Sequence, residues 1–136
     1  MIHAAVIDAQ GGGLGAAIVK KMTEQLGEKV HITALGTNAV ATTAMKKSGA
    51  RVCATGENAV RIGVRDVDVI VGGVGIIAPS GMLGEITPVM AQAISESRAV
   101  KILIPISRCS IMIAGTDGLT AGDLIDNAVK RIGEMV

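Results

Sequence analysis

The sequence contains no phenylalanine, tyrosine or tryptophan. That absence removes whole classes of function. Stacking platforms for single-stranded nucleic acid need aromatic faces, and cages for quaternary ammonium groups need them too. An enzyme whose acid or base is a tyrosine is excluded outright. Charge is scarce as well: charged residues make up 18% of the chain, below the usual quarter. Thirteen basic against twelve acidic residues leave a formal net charge of +1, so no bulk field draws the chain to nucleic acid or to an anionic membrane. The two cysteines, Cys53 and Cys109, lack the spacing of a zinc site. They read as reduced thiols on opposite sides of the fold, and a Cys–His dyad is not on offer. Long apolar runs are missing too. Residues 67–77 are interrupted by Asp68 and a glycine cluster, and residues 102–106 contain Pro105; neither approaches the roughly 20 residues of a spanning helix. No basic segment followed by an apolar one stands at Met1. The expectation is a cytoplasmic protein with no signal peptide and no membrane partner.

What remains is strongly apolar. Val, Ile, Leu, Ala and seven Met dominate a chain that is 49% apolar, with a mean hydropathy of +0.53. A single domain spanning 1–136 suits this length, but a domain of this size hides only about two-thirds of its unfolded surface. Such a composition predicts a homo-oligomer, with the C-terminal helix or the helix after Pro88 at the interface.

Along the chain, apolar runs of strand length alternate with helical patterns, the sign of a parallel sheet covered on both faces. Strands are expected over residues 3–8, 30–35, 51–54, 67–71 and 101–106. Between the first two, Leu14, Ile18, Met22 and Leu26 repeat near the helical period. A second helix should start after Gly36-Thr37-Asn38 and end at Gly49. Thr87 and Pro88 mark another helix start, where the missing proline N–H costs nothing. Thr120 with Asp123 three residues on resembles a capping box that opens the last helix. Only Ser107, Arg108 and Cys109 separate the fifth strand from an apolar run at 110–114. That gap is too short for a parallel crossover, so a sixth, antiparallel edge strand is expected. The predicted fold class is α/β: a Rossmann-like three-layer sandwich, mostly parallel, in strand order 3-2-1-4-5 with the sixth strand outside.

The first strand-to-helix turn carries the strongest functional signal. Gly11-x-Gly13-x-x-Ala16 has the spacing of a phosphate-binding turn, with a strand before it and a helix after it. Glycines there make the turn tight and let a pyrophosphate reach the backbone, where the helix start offers unpaired N–H groups. Such a turn can equally serve close strand–helix packing. The acid that usually holds an adenosine ribose at the end of the second strand is replaced by Gly36-Thr37-Asn38, which weakens NAD and allows a 2′-phosphate met by small polar groups with Lys46 or Lys47. Asp8 either joins the ligand or bonds the N–H groups of its own loop. A P-loop is excluded, since Leu14-Gly15-Ala16 supplies neither lysine nor hydroxyl. An adenosylmethionine site lacks its second acid.

Other polar groups should gather at the carboxyl edge of the sheet, where open α/β sheets bind ligands: Thr55, Glu57, Asn58, Glu85 and Arg108. Glu57 and Glu85 could serve as acid or base, or simply as helix-start acids. The expected ligand contacts are Asp8, Gln10, Gly11, Gly12, Gly13, Leu14, Gly36, Thr37, Asn38, Thr55, Glu57 and Asn58, with Gly72, Gly73 and Gly75 lining the opposite wall. His3 and His31 fall at strand starts on the far edge, where two ligands make no metal site. Met82, Met90 and Met112 read as core or interface filler.

Two resemblances follow from these motifs. Residues 8–15, Asp8-Ala9-Gln10-Gly11-Gly12-Gly13-Leu14-Gly15, are similar to the T-G-x-x-x-G-x-G turn of short-chain dehydrogenases. The segment Val69-Ile70-Val71-Gly72-Gly73-Val74-Gly75-Ile76 resembles their N-N-A-G segment, with Gly72 and Gly73 where the asparagines stand. The catalytic Tyr-x-x-x-Lys pair cannot exist here, and the chain is about half the needed length, so the likeness implies only the cofactor-binding half. A fuller resemblance covers nearly the whole chain. Gln10 to Gly13, Ala34-Leu35-Gly36-Thr37-Asn38-Ala39, Ala54-Thr55-Gly56-Glu57-Asn58-Ala59 and Gly84-Glu85-Ile86-Thr87-Pro88 resemble the motifs of a family of short bacterial proteins, common in anaerobes, known as a domain of unknown function. Glycine is more usual there at positions 9 and 53, where this chain has Ala9 and Cys53. That resemblance brings no reaction with it.

The sequence therefore points to a protein that binds a small-molecule nucleotide, NADP or NAD in type, as a sensor, carrier or subunit without stand-alone catalysis. Its rivals are a small oxidoreductase or transferase completed by a partner chain, and a structural self-assembling protein whose glycines serve packing.

Overall fold

The computed structural model describes residues 1–106 and 110–136. Five strands, β1 (Ile2–Asp8), β2 (Val30–Gly36), β3 (Val52–Thr55), β4 (Val69–Gly73) and β5 (Val100–Ile104), form one sheet. Its order is β3-β2-β1-β4-β5, and every pairing is parallel. Each crossover carries a helix: α1 (Gly13–Leu26), α2 (Ala39–Lys47), α3 (Glu57–Gly63) and α4 (Pro88–Glu96), with α5 (Ala121–Gly133) closing the chain. The β/α alternation and the strand order are those the apolar patterning dictates. The fold is a Rossmann-like α/β sandwich.

The sheet divides two cores. Because strand side chains alternate, Ala4 and Val6 of β1 join the core under α1 and α5, where Ile18, Val19, Met22, Ile125, Val129 and Ile132 are buried. Ala5 and Ile7 face the other way, against Val60 of α3 and Met90, Ala91 and Ile94 of α4. Ile18 and Met22 are fully buried, and Leu14 and Leu26 pack at the margin of the same core, so the helical stripe lies where its period puts it. With no aromatic ring available, methionine fills space: Met22, Met45, Met82 and Met90 are all buried, whereas Met112 is exposed.

Caps follow the sequence signals. Thr87 accepts a hydrogen bond from the Met90 N–H at 3.2 Å, with Pro88 in the first turn of α4. Thr120 and Asp123 form a reciprocal capping box on α5.

The sixth strand is not formed. Residues 110–119 hold no strand, and Ile111, Met112 and Ile113 are exposed. Pro105 has no N–H to extend the ladder, and the Ile106 N–H turns back to the Ile104 carbonyl at 2.7 Å, so β5 stops at Ile104. Beyond it, Ile111-Met112-Ile113 lacks the polar–apolar alternation of an edge strand. Ser107, Arg108 and Cys109 lie outside the described residues, so the expected placement of Cys109 across the sheet and of Arg108 at its edge falls there too. Cys53 packs against the first core. Among the described residues no helix is long and apolar enough to cross a membrane.

Candidate functional site

β1 and β4 are neighbours at the point where the strand order reverses. In open α/β sheets that point opens a crevice at the carboxyl ends of the strands. The turn leaving β1 lies at that point. Gly12 adopts a left-handed conformation, φ 74°, and caps α1; its N–H bonds the Ala9 carbonyl at 3.0 Å. Asp8 reaches up beneath the turn, where Oδ1 accepts the Ala9 N–H at 2.8 Å and Oδ2 the Gly15 N–H at 2.6 Å. It therefore bonds its own loop and satisfies one of the orphan donors of the helix start. Burial raises the Asp8 carboxyl above its ordinary range. The Gly15 and Ala9 N–H bonds pull it back, and the charge of Glu85 adds to the rise.

The glycines of the turn divide into two kinds. A Cβ at Gly12 would stand 2.7 Å from Ala41 Cα, and one at Gly15 would stand 2.8 Å from Asp8 Cβ. At Gly11 and Gly13 it would meet nothing within 4 Å, and both residues are exposed. The N–H groups of Gly11, Gly13 and Leu14 have no hydrogen-bond partner among the described residues.

The same edge of the sheet holds a carboxylate from elsewhere in the chain. Between β4 and α4 the backbone passes through left-handed φ at Ser80 (62°), Met82 (54°), Leu83 (58°) and Gly84 (88°). Met82 and Ile86 plug into the second core, and the Ser80 N–H bonds the Ile86 carbonyl at 2.7 Å. This tight loop throws Glu85 over the edge of the sheet. Its Oε1 accepts from the Gln10 N–H at 2.9 Å, the Thr37 hydroxyl at 2.7 Å and the Asn38 side-chain amide at 2.8 Å. Asn38 Nδ2 also donates to the Gln10 carbonyl at 3.0 Å, while its Oδ1 caps α2 through the Ala41 N–H at 2.9 Å. One carboxylate oxygen thus ties the β1–α1 turn, the β2–α2 turn and the β4–α4 loop together. The Gln10 N–H bond lowers the Glu85 carboxyl below its ordinary range. Burial opposes that, and the Thr37 and Asn38 bonds add to the lowering.

The two carboxylates pull in opposite directions in acid. Glu85, held low, contributes stability that is present above the ordinary glutamate value of 4.5 and lost as pH falls through its lowered folded value. Asp8, held high, favours the fold below its ordinary 3.8, and that contribution disappears as pH rises through its raised value. Glu85→Gln removes the first contribution and, with the charge, the part of the Asp8 rise that Glu85 causes. The gap in urea midpoint between wild type and Glu85→Gln is expected to close as pH falls from about 6 to about 3. A gap of constant size would show that these bonds do not favour the ionised form.

The other expected contacts fall in several places. Gly36 leads into the cluster, where a Cβ would collide with Thr42 Oγ1 and the Thr37 N–H bonds the Asp8 carbonyl at 3.1 Å. Thr55 stands behind it, 2.8 Å from Thr42 Oγ1. Leu14 lies at the end of β4, its Cδ2 3.3 Å from a Cβ built on Gly73. Gly72, Gly73 and Gly75 are buried; a Cβ at Gly72 would approach the Ile7 carbonyl to 2.8 Å, and one at Gly73 the Ile106 carbonyl to 2.8 Å. Glu57 and Asn58 are exposed in the first turn of α3, where Asn58 Oδ1 accepts from Arg61 Nη2 at 2.8 Å. Lys46 and Lys47 sit in the last turn of α2, a helix length away from the Thr37–Asn38 end. On the far edge the His3 and His31 rings stack at 5.2 Å, with no third metal-ligating group beside them among the described residues. Sequence reasoning put Glu85 at the carboxyl edge of the sheet, as a candidate acid or base or as a helix-start acid; the α4 cap is Thr87, two residues later. The one available signal was the glycine before it, which lets the chain turn at φ 88°.

Among solved structures, the chain is similar to a nucleoside-diphosphate-sugar epimerase from Pseudomonas aeruginosa, at 9% identity and a TM-score of 0.45. The similarity covers 98% of this chain and 47% of the epimerase, so the chain spans about half the epimerase's length. No curated protein matches. A family model does match, over residues 3–136, under the description "Domain of unknown function (DUF3842)", and the chain belongs to that family.

Proposed function

We propose that the protein binds a nucleotide of the NAD or NADP type in the crevice above the β1–α1 turn, as a sensor, carrier or subunit rather than a free-standing enzyme. The observation that carries this reading is the contrast among the turn glycines. Packing accounts for Gly12, Gly15, Gly72 and Gly73, each of which a Cβ would crowd. It does not account for Gly11 and Gly13, which face open space. Bare backbone at the first turn of a helix, with free N–H groups, fits a phosphate.

The residues present suit the rest of such a ligand. The Gly13 and Leu14 N–H groups would take the pyrophosphate, and the Thr37–Asn38 end of β2 would lie beside the adenosine ribose. A nicotinamide cofactor, when bound, supplies hydride chemistry; this chain's part is to bind and orient it. Calorimetric titration with NAD, NADP, FAD, ATP and adenosylmethionine tests the reading. At least one is expected to bind more tightly than about 1 mM, a level worth about 4 kcal/mol. If none does, the nucleotide reading fails.

Self-association belongs to the same proposal. The interface proposed is the C-terminal helix or the helix after Pro88; Ile111, Met112, Ile113 and Leu119 are also exposed, Met112 at 92%, and burying apolar surface against a second copy would offset the apolar excess of the composition. Sedimentation at micromolar concentration should give a species heavier than the 13.7 kDa of one chain. A clean monomer would remove this element.

A further inference from the structure

The end of β2 lacks the acid that usually receives an adenosine ribose, since Gly36-Thr37-Asn38 stands there instead. The fold returns a carboxylate to that place from elsewhere in the chain. Glu85 Oε1 is bonded by Thr37 and Asn38, the two residues that follow β2, and by the Gln10 N–H of the phosphate turn. Three donors saturate Oε1 and fix the carboxylate plane. Oε2 has no hydrogen bond among the described residues, so it is placed to accept one more.

We propose that Glu85 is the ribose-recognising acid of this site, and that it selects nucleotides with a free 2′-hydroxyl, NAD over NADP. The inference rests on the nucleotide reading above and names its substrate class. Three features support it. The carboxylate is anchored between the phosphate turn and the end of β2, which is where the ribose must lie if the pyrophosphate sits on Gly13 and Leu14. An ionised carboxylate accepts hydroxyl hydrogen bonds and repels a phosphate dianion at close range. The lysines that could have met a 2′-phosphate, Lys46 and Lys47, lie at the opposite end of α2.

Wild-type protein and Glu85→Gln are titrated with NAD and NADP. In the variant the glutamine carbonyl can replace Oε1 under the same three donors, and the amide then stands where Oε2 stood. The local fold is kept while an anionic acceptor becomes a neutral donor. Wild type is expected to bind NAD at least about tenfold more tightly than NADP, the effect of one charged hydrogen bond. In Glu85→Gln that ratio should collapse to near one or invert. The wild type alone supplies a second measurement that needs no variant: NAD lacking the adenosine 2′-hydroxyl should bind about tenfold more weakly than NAD. Equal binding of NAD and NADP by wild type overturns the inference, as does an unchanged ratio in Glu85→Gln. An equal tightening of both ligands in the variant also overturns it, because the carboxylate would then be an obstruction. In each of those cases the nucleotide reading stands. Failure of wild type to bind either dinucleotide or any other nucleotide removes both.

Discussion

Replacing Gly13 with valine is expected to weaken nucleotide binding by at least about 100-fold while leaving the fold intact. Gly13 is the first residue of α1, exposed, with nothing within 4 Å of the position a Cβ would take. Its backbone is helical, so a branched side chain meets no dihedral penalty there, and leaving glycine behind in a helix is favourable by a few tenths of a kcal/mol. The melting temperature should therefore stay within a few degrees of wild type. Binding is another matter. Two isopropyl methyls over the turn would hold a phosphate away from the Gly13 and Leu14 N–H groups. Hydrogen bonds to charged groups contribute about 1.5–3 kcal/mol each, so losing both removes about 3–6 kcal/mol, or two to four decades of affinity. Calorimetry on both proteins with the tightest nucleotide reads this directly. If wild type binds and the variant binds equally well, the pocket lies elsewhere on the molecule.

Much of this architecture is legible in the amino-acid order because local signals and tertiary packing agree. The all-parallel order follows from apolar runs too continuous for a sheet with one wet face, separated by helices. Thr87-Pro88 and Thr120 with Asp123 place two helix starts correctly because a cap depends only on residues three apart. Two features escape such reasoning. The apolar run at 110–114 reads as a strand, yet apolarity alone does not supply a ladder, and Pro105 ends β5 before a partner could pair. The cluster around Glu85 joins residues 47, 48 and 75 positions away in the chain, through a loop whose left-handed turns fall on Ser80, Met82 and Leu83. Side chains of that kind do not announce such conformations, as Gly84 does. The acid missing after β2 is visible in the sequence as a gap, and Glu85 as an acid at the carboxyl edge, but its bonds to Gln10, Thr37 and Asn38 are not.

The largest effect on stability should come from Gly12→Ala, and its two causes can be separated by experiment. Gly12 sits at φ 74° and ψ 13°, a left-handed conformation that costs an alanine about 1–2 kcal/mol. Its Cβ would also stand 2.7 Å from Ala41 Cα and 2.9 Å from the Ala41 carbonyl oxygen. Both atoms are backbone at the start of α2, the helix that Asn38 caps, so neither can rotate out of the way. Moving α2 would disturb Ala41 and Met45, both fully buried, at a cost typical of overpacking, about 1–3 kcal/mol. Together these amount to about 2–5 kcal/mol, a large part of the stability of a domain this size, and a fall in melting temperature on the order of 10 °C. Gly118 provides the comparison. Its φ of 78° nearly matches, and a Cβ there would meet nothing within 4 Å, so Gly118→Ala should show the dihedral cost without the collision, about 1–2 kcal/mol. The difference between the two variants measures how closely the β1–α1 turn is pressed against α2. Equal losses would mean that α2 yields to the added methyl at no cost.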